Sequence, residues 1–259
     1  MTKQTMPFDQ TTAEDILGYP VATDVIDNHI SKICSWISEG VVAKYFVCAN
    51  PHSLVVADAD PLFRDAVRHA DIITPDGAGI VLASKILGGV IKNRITGMDI
   101  FIKLNQALHE RGNATCFFIG STQETLDRIT LRMKQDFPNV RIVGTYSPPF
   151  KSEFDQEDNN VMIDLINRAA PDVLWIGMTA PKQEKWIFTN KERLDVKFIG
   201  AIGAVFDFYS GNVKRSHPFF QRLGLEWLPR LLKEPRRLWR RTFMSSPIFL
   251  YRIFKQKYL

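Results

Sequence analysis

Short apolar segments alternate with helical patterns of apolar residues along most of this chain. Six of these segments predict strands, at residues 44–49, 71–74, 115–120, 140–144, 172–177 and 196–200. The stretches between them repeat apolar residues every three or four positions, as amphipathic helices do. Strands that alternate with helices are typical of a parallel sheet covered on both faces. The sequence therefore predicts an α/β fold, a Rossmann-like doubly wound parallel sheet over residues 16–212.

The two ends of the chain differ from this central domain. Residues 1–15 are polar and are expected to form a flexible N-terminus that is not a signal peptide. Residues 16–21 predict an edge strand or ribbon, because Pro20 cannot donate to the ladder of a central strand. No run of 18 apolar residues occurs, so the sequence predicts no transmembrane helix. Residues 213–259 are expected to form a basic helical appendage.

The charge of this appendage sets it apart from the rest of the chain. Residues 213–259 contain 12 lysines and arginines and 2 acidic residues, a net charge of +10. Residues 1–212 contain 21 basic and 26 acidic residues, a net charge of −5. Two interpretations remain open on these grounds. The appendage is either a helical cap with a solvated basic face, or an amphipathic element that associates with an anionic membrane surface.

The cysteines and paired aspartates give little support to a metal site. The three cysteines are widely spaced and form no CxxC motif, which indicates neither a zinc site nor a disulfide framework and fits a reducing compartment. Asp58 and Asp60 form an Asp-x-Asp pair, which metal-dependent sugar transferases use to hold a divalent ion. Because Pro61 follows directly, a helix cap at Asp60 is the simpler explanation.

Polar side chains follow several of the predicted strands. The carboxyl ends of parallel strands meet at one edge of a sheet, where ligands bind in open α/β folds. We therefore expect these side chains to converge on one pocket. A pocket of amides, carboxylates and arginines suits a sugar that carries a diphosphate. The residues concerned are Asn50, Asp76, Gly120, Ser121, Lys182, Gln183, Glu184 and Asp207.

Asp76 lies between the end of a predicted strand and the start of a predicted helix. A carboxylate at this position has two possible roles. It can cap the helix by accepting hydrogen bonds from free backbone N–H groups. It can also act as a general base toward a bound hydroxyl group. Because Asp is common at helix caps, its position alone favours the cap.

Four blocks of sequence form a pattern that extends over roughly residues 16–245. They are residues 50–52, residues 74–79 with 94–99, residues 176–184, and residues 203–208 with 225–237. In this order the blocks resemble the WecG/TagA/CpsF glycosyltransferases, glycosyltransferase family twenty-six. Each block alone is a weak signal, and the four together are a strong one.

The resemblance implies a metal-independent enzyme of bacterial surface-polysaccharide synthesis that works on the cytoplasmic face of the cell membrane. Members of the family move a sugar from a UDP donor to a polyprenyl-diphosphate-linked sugar with inversion at the anomeric carbon. The best-known activity adds N-acetylmannosamine to lipid-linked N-acetylglucosamine. The C-terminal appendage of the family touches the membrane and helps to close the active site. No cofactor and no nucleic-acid partner are expected.

The resemblance also reverses the preference at Asp76, which becomes the expected general base, with Arg94 as a second catalytic residue. Cys48 stands where the family often has Thr, so a thiol replaces a hydroxyl group as the hydrogen-bonding partner. The expected substrate-binding residues are Cys48, Asn50, Thr74, Gly77, Lys182, Gln183, Glu184, Asp207, Arg230, Arg237 and Arg240.

Two other functions remain as alternatives. One is a glucosyltransferase with a UDP-glucose donor in an exopolysaccharide pathway. The other is a non-catalytic nucleotide- or RNA-binding protein that uses its basic appendage. The aromatic residues of the appendage lie at helical spacing and form no base-stacking platform, which disfavours RNA binding. The sequence leaves the oligomeric state open, a homo-oligomer included.

Overall fold

A computed structural model describes residues 12–213 and 244–259 of this chain. Its strands are β1 (Ala13–Ile16), β2 (Tyr19–Ala22), β3 (Lys44–Ala49), β4 (Ile72–Pro75), β5 (Thr115–Gly120), β6 (Arg141–Tyr146), β7 (Val173–Gly177) and β8 (Phe198–Ala201). The last six form one parallel sheet in the order β4-β3-β8-β7-β5-β6. The predicted α/β class and parallel sheet are therefore confirmed.

Helices cover both faces of this sheet. They are α1 (Ile26–Glu39), α2 (Pro51–Ala59), α3 (Pro61–Arg68), α4 (Ala78–Leu87), α5 (Gly97–Arg111), α6 (Gln123–Asp136), α7 (Gln156–Ala169), α8 (Lys182–Asn190), α9 (Val205–Tyr209) and α10 (Ser246–Tyr258). Buried residues of α2, α3, α4, α7, α8 and α10 form the core on one face. Those of α1, α5, α6 and α9 form the core on the other face.

Strand β3 shows why the central strands are apolar throughout. Its side chains alternate between the two faces of the sheet. Tyr45 and Val47 belong to one core, whereas Phe46 belongs to the other, and all three are fully buried. A strand that is buried on both faces has no solvent-facing positions for polar residues. This explains why the sequence signal was a continuous apolar run.

The N-terminal hairpin, residues 13–22, forms a ribbon, one of the two predicted alternatives, but begins earlier than predicted. β1 and β2 form a two-stranded antiparallel ribbon with a turn at Leu17 and Gly18. Ala13 to Asp15, which were expected in a flexible N-terminus, belong to a strand. Pro20 is tolerated because both strands of a two-stranded ribbon are edge strands.

Two details of local structure were not predicted. Ser121, the polar residue directly after β5, does not cap α6: it has a φ of 56°, and Thr122 is the residue whose side chain accepts from the backbone N–H of Thr125. Strand β3 ends at Ala49 as predicted, but the helix α2 formed by residues 51–59 was not predicted. The overlooked signal is Pro51 directly after Asn50, which is the usual order of a first helical residue and its cap.

Helix α10 packs on the body of the protein. Phe249 and Ile253, four residues apart, are buried against α2 and α4 and belong to the core of that face. The opposite side of α10 is exposed to solvent. For residues 244–259 the packed cap is therefore confirmed on one side of the helix. Residues 214–243 of the appendage lie outside the described residues, and the domain boundary at residue 213 stays a prediction.

Polar contacts also hold α10 in place. Gln256 accepts a hydrogen bond from the backbone N–H of Leu17 at 2.9 Å and donates to the Asp15 carboxylate at 2.8 Å. Arg252 forms an ion pair with Asp58 at 2.8 Å. These contacts join the end of the chain to the N-terminal hairpin and to α2. Within residues 12–213 and 244–259, no helix is both long enough and apolar enough to cross a membrane.

We predict that α10 unfolds together with the rest of the domain. Ile253→Ala should lower the free energy of unfolding by about 2–4 kcal/mol, because it leaves a cavity in a closed core. Phe254→Ala, on the exposed side of the same helix, is the matched control and should cost less than about 0.5 kcal/mol. Chemical denaturation followed by circular dichroism measures both values. Equal small losses would show that α10 is not part of the cooperative unit.

Candidate active site

The carboxyl edge of the sheet brings three expected site residues together. Ala49 at the end of β3 lies opposite Pro75 at the end of β4. The backbone N–H of Asp76 donates to the Ala49 carbonyl at 2.8 Å, and the N–H of Ile95 donates to the Pro75 carbonyl at 2.8 Å. Since Asn50 follows Ala49 and Arg94 precedes Ile95, both lie beside Asp76.

The turn after Asp76 directs the N-terminus of α4 toward this edge. The N-cap of α4 is Gly77, which has no side chain and a φ of 93°, so Asp76 is not the cap residue itself. Most side chains avoid this conformation, and glycine adopts it readily. Gly79 is required for a different reason, because a Cβ atom there would lie 2.3 Å from Pro51. The free N–H groups of the first helical turn favour a negative charge nearby.

Asn50 has a structural role that limits how it can bind a ligand. It is the N-cap of α2, and its Oδ1 accepts from the backbone N–H of Ser53 at 3.0 Å. The Ser53 hydroxyl in turn accepts from the backbone N–H of Asn50 at 2.9 Å. This capping box fixes the rotamer of Asn50. Its NH₂ group is consequently the part that can donate to a bound molecule.

Cys48 lies on β3, two residues before Asn50, and is therefore deeper in the sheet than Asn50 and Asp76. The Thr74 hydroxyl, which is fully buried, lies 3.5 Å from both the Cys48 sulfur and the Val47 carbonyl. Burial raises the pKa of the Cys48 thiol, and the negative charge of Asp76 raises it further. The thiol is therefore neutral at pH 7.

The first turn of α8 carries a buried polar pair at the end of the neighbouring strand β8. Gln183 donates through Nε2 to Oε1 of Glu184 at 2.9 Å, and both residues are 4% exposed. Burial raises the pKa of Glu184 to about 7. Within the described part of the chain, Oε1 of Gln183 and Oε2 of Glu184 have no hydrogen-bond partner. Buried acceptors of this kind fit a hydrogen-bond donor.

The proximity of Gln183 and Glu184 to Gly203 and Cys48 shows where this pair lies relative to Asp76. A Cβ atom on Gly203, two residues after β8, would lie 3.5 Å from Oε1 of Gln183. The charge of Glu184 acts on the Cys48 thiol, as the charge of Asp76 does. The pair thus lies beneath the same edge of the sheet, below the end of β8.

Lys182 and Asp207 lie in the helices that follow β7 and β8. Lys182 places its ammonium group 3.5 Å from the centre of the Phe154 ring, against the loop after β6. Burial lowers the pKa of Lys182. Asp207 is half-buried in the first turn of α9. Its carbonyl accepts from the backbone N–H of Val213 at 3.1 Å.

Both ends of the segment 214–243 lie near the carboxyl edge of the sheet. At one end, Asn212 donates to the Thr125 hydroxyl at 2.8 Å, at the start of α6. At the other end, the Ser245 hydroxyl lies 2.8 Å from Nδ1 of His52, in the first turn of α2. Arg230, Arg237 and Arg240, three of the expected substrate-binding residues, lie between these ends and outside the described residues.

The paired aspartates of α2 and α3 are engaged in structural contacts. Asp60 caps α3 by accepting from the backbone N–H of Phe63 at 3.0 Å, and it also pairs with Lys185 at 3.0 Å. The predicted helix cap is thus confirmed. Asp58 pairs with Arg252. Within residues 12–213 and 244–259, no three His, Cys, Asp or Glu side chains form a group that could hold a metal ion.

The chain is similar to known proteins over most of its length. The model of the glycosyl transferase WecG/TagA/CpsF family matches residues 14–259. One relative is the N-acetylglucosaminyldiphosphoundecaprenol N-acetyl-beta-D-mannosaminyltransferase of Bacillus spizizenii. It is 31% identical over 238 residues, which cover 90% of this chain and 89% of the relative.

Enzymes with the same name from two strains of Staphylococcus aureus are 28% and 29% identical over 251 residues. These alignments cover 95% of this chain and 94% of each relative. The match of a family model to nearly the whole chain confirms what the four sequence blocks predicted: this protein belongs to the WecG/TagA/CpsF family of glycosyltransferases.

Proposed function

We propose that this protein is an inverting glycosyltransferase that moves N-acetylmannosamine from a UDP donor to a sugar linked to polyprenyl diphosphate. The observation that carries the proposal is the convergence of Asn50, Asp76 and Arg94 beside the N-terminus of α4. The names of the relatives specify N-acetylmannosaminyl transfer and an undecaprenyl-diphosphate-linked N-acetylglucosamine. Both observations support the same reaction.

In the proposed mechanism, Asp76 is the general base. Its carboxylate accepts the proton of the acceptor hydroxyl while that oxygen attacks the anomeric carbon of the donor. The bond from the anomeric carbon to the diphosphate oxygen breaks on the opposite face, which inverts the configuration. The carboxylate is half-buried and follows a rigid strand end, so its position is well defined. Positioned bases of this kind typically contribute 10²–10⁴-fold to the rate.

The departing diphosphate gains negative charge as this bond breaks. The N-terminal turn of α4 supplies backbone N–H groups and a favourable dipole, which are suited to a phosphate. Arg94 supplies a fixed positive charge on the segment that docks on β4. Arg230, Arg237 and Arg240 are proposed to add further charge, because their segment begins and ends near the same edge. We propose that these N–H groups and arginines stabilise the leaving diphosphate without a metal ion.

The sugars are proposed to bind between Asn50 and the Gln183–Glu184 pair. Asn50 offers an NH₂ donor, since its carbonyl oxygen is used in the helix cap. Gln183 and Glu184 offer acceptors, which suit the hydroxyl and acetamido N–H groups of an N-acetylated sugar. We propose that Cys48, Thr74 and Gly77 form the floor of this region and that Lys182 and Asp207 contact the substrate from the helices after β7 and β8.

The acceptor is a membrane lipid, and α10 supplies a surface that fits a bilayer. Ile248, Tyr251, Phe254 and Tyr258 are exposed on the side of α10 that faces away from the core. Lys255 and Lys257 are exposed on the same helix. Aromatic residues beside lysines are typical of helices that lie in the membrane interface. We propose that α10 holds the enzyme on the cytoplasmic face of the cell membrane.

A panel of radiolabelled UDP-sugars tests the reaction directly. The purified full-length chain is incubated with each donor and a short-chain polyprenyl-diphosphate-linked N-acetylglucosamine. UDP-N-acetylmannosamine should give a labelled lipid product with inverted configuration. Transfer from UDP-glucose alone would replace this proposal with a glucosyltransferase. Salt-sensitive RNA binding without any transfer would replace it with a binding protein.

Asp76→Asn should reduce turnover by at least about a hundredfold, because Asn cannot accept the proton. Donor binding, measured by calorimetry with UDP, should remain within a few-fold of the unmodified chain. Asp60→Asn is the matched control, since Asn can also cap a helix, and should keep near-normal turnover. Normal turnover by Asp76→Asn would rule out the general-base role.

Glu184 should make stability depend on pH. Burial raises the pKa of Glu184 from 4.5 to about 7, so folding favours its neutral form. This contribution is complete below pH 4.5 and is lost as the pH rises through about 7. Over that range the free energy of unfolding should fall by up to about 3 kcal/mol on account of this residue. Chemical denaturation at pH 5 and pH 8 measures the change.

The Glu184→Gln variant, which cannot ionise, isolates this effect. The free energy of unfolding of this variant, relative to that of the unmodified chain, should be higher at pH 8 than at pH 5. Glu153→Gln removes an exposed carboxylate and is the control. If the three proteins showed parallel pH profiles, Glu184 would not be an acid stabilised in its neutral form.

The exposed side of α10 should govern membrane binding. The triple variant Tyr251→Ser, Phe254→Ser and Tyr258→Ser should reduce binding to vesicles at least about tenfold, since three aromatic anchors are lost. Co-sedimentation with vesicles measures the partition coefficient. The melting temperature should change little, because these side chains are exposed. Unchanged vesicle binding would show that the membrane contacts another surface.

A further inference from the structure

A second basic region lies between α10 and the N-terminal hairpin, away from Asp76. It is an open cleft of about 460 Å³. Its lining combines apolar side chains with the charged side chains of two helices, and we call it the basic cleft. The residues that line it are Leu17, Tyr19, Leu54, Asp58, Arg252, Lys255, Gln256 and Leu259.

Two arginines of α3 flank the cleft at Tyr19. The guanidinium group of Arg68 lies 5.3 Å from the centre of the Tyr19 ring. Arg64 lies one turn before Arg68 and acts on the Tyr19 hydroxyl together with Arg68 and Arg252. Neither Arg64 nor Arg68 forms an ion pair within the described part of the chain, and Nε of Arg64 is buried without a hydrogen-bond partner there.

The carboxylates nearest to the cleft are already engaged. Asp58 pairs with Arg252. Asp15 accepts hydrogen bonds from Gln256 and from the backbone N–H of Gly18. Among the described residues, no carboxylate lies within 4 Å of the guanidinium nitrogens of Arg64 or Arg68. Clustered arginines without carboxylate partners are suited to phosphate, because guanidinium groups bind its oxygens in pairs.

The neighbouring surface of α10 indicates what kind of molecule would carry the phosphate. A helix turns by 100° per residue, so the cleft-lining Arg252 and Leu259 lie between the buried side of α10 and its exposed stripe. Tyr251 and Tyr258 of that stripe are 70% and 72% exposed. A ligand in the cleft would therefore have charged groups on one side and aromatic and aliphatic groups on the other.

We propose that the basic cleft binds the phosphate of an anionic phospholipid headgroup while the acyl chains of that lipid lie along the exposed stripe of α10. This inference deepens the proposed membrane association and rests on it. It assigns to Arg64 and Arg68, on the body of the domain, a role in membrane binding. The cleft then favours a lipid over free phosphate, since phosphate without the adjoining acyl chains would lose the apolar half of the contact. It favours an anionic over a zwitterionic lipid, because the headgroup of an anionic lipid places no cation beside the arginines.

Vesicle co-sedimentation with the full-length chain tests this assignment. The double variant Arg64→Gln and Arg68→Gln should bind vesicles of 30% phosphatidylglycerol in phosphatidylcholine at least about tenfold more weakly, since each basic residue near an anionic leaflet contributes about fivefold. The matched control, Arg128→Gln with Lys134→Gln on α6, removes the same charge from the opposite face of the sheet. It should bind within about twofold of the unmodified chain.

Two further arms separate specific binding from other effects. Arg64→Lys with Arg68→Lys keeps the charge and should recover part of the binding. Turnover of a water-soluble short-chain acceptor should be the same in the Gln variant and in the unmodified chain, because neither arginine lies at the site of Asp76. Absence of turnover in both the Gln variant and the unmodified chain would refute the proposed function. The vesicle comparison would still test whether the basic cleft binds anionic lipid.

Three results would overturn the inference. The first is equal vesicle binding by the Gln variant and the unmodified chain. The second is an equal loss in the α6 control, which would indicate net charge alone. The third is binding of inorganic phosphate that Arg64→Gln with Arg68→Gln abolishes while vesicle binding stays unchanged, which would indicate a site for free phosphate.

Discussion

The parallel pairing of β3 with β4 is the interaction on which the candidate site depends. It sets Ala49 opposite Pro75, and the next hydrogen bond in the ladder joins Asp76 to Ala49. The polar residues that follow the two strands consequently lie side by side. The same ladder extends to the segment before α5, whose hydrogen bond to Pro75 brings Arg94 to this edge. Asn50, Asp76 and Arg94, which are far apart in the sequence, are thus close together at this edge.

Close approach of backbone elements makes this arrangement possible. Gly79 allows the start of α4 to contact Pro51 at the start of α2. Gly97 at the start of α5 differs, because a Cβ atom there would lie 3.6 Å from the Cys48 sulfur, which is an ordinary van der Waals contact. With a larger residue at position 79, the start of α4 would lie further from α2. Gly79 therefore acts through packing, and any contact of its backbone with a ligand is an additional role.

The buried polar pair of α8, Gln183 and Glu184, destabilises the folded protein beneath the site. A carboxyl group that is buried with one hydrogen bond is more stable in its neutral form, which is why its pKa is raised. Buried acceptors without partners typically cost about 1–3 kcal/mol each. Groups with this cost often lie at functional sites, where a substrate supplies the missing partner. Gln183 and Glu184 fit this pattern better than they fit a purely structural start of a helix.

The sequence by itself determined the α/β class and the positions of the six strands of the parallel sheet along the chain. Apolar strands and amphipathic helices differ in period, and this difference is a local property that the sequence carries directly. The family followed from four blocks of residues in order, and the family model confirmed it. The cap at Asp60 was also predictable, since Pro61 follows it.

Only the tertiary structure decided which of these residues meet. The sequence could not choose between the two roles of Asp76, because a cap and a base occupy the same place in a strand–turn–helix unit. The structure puts Gly77 at the cap position and sets Asp76 beside Asn50. The burial of Glu184, the docking of α10 and the cleft beside Arg64 and Arg68 were likewise not predictable. Each of them depends on contacts between residues far apart in the chain, and the pattern of neighbouring residues does not encode such contacts.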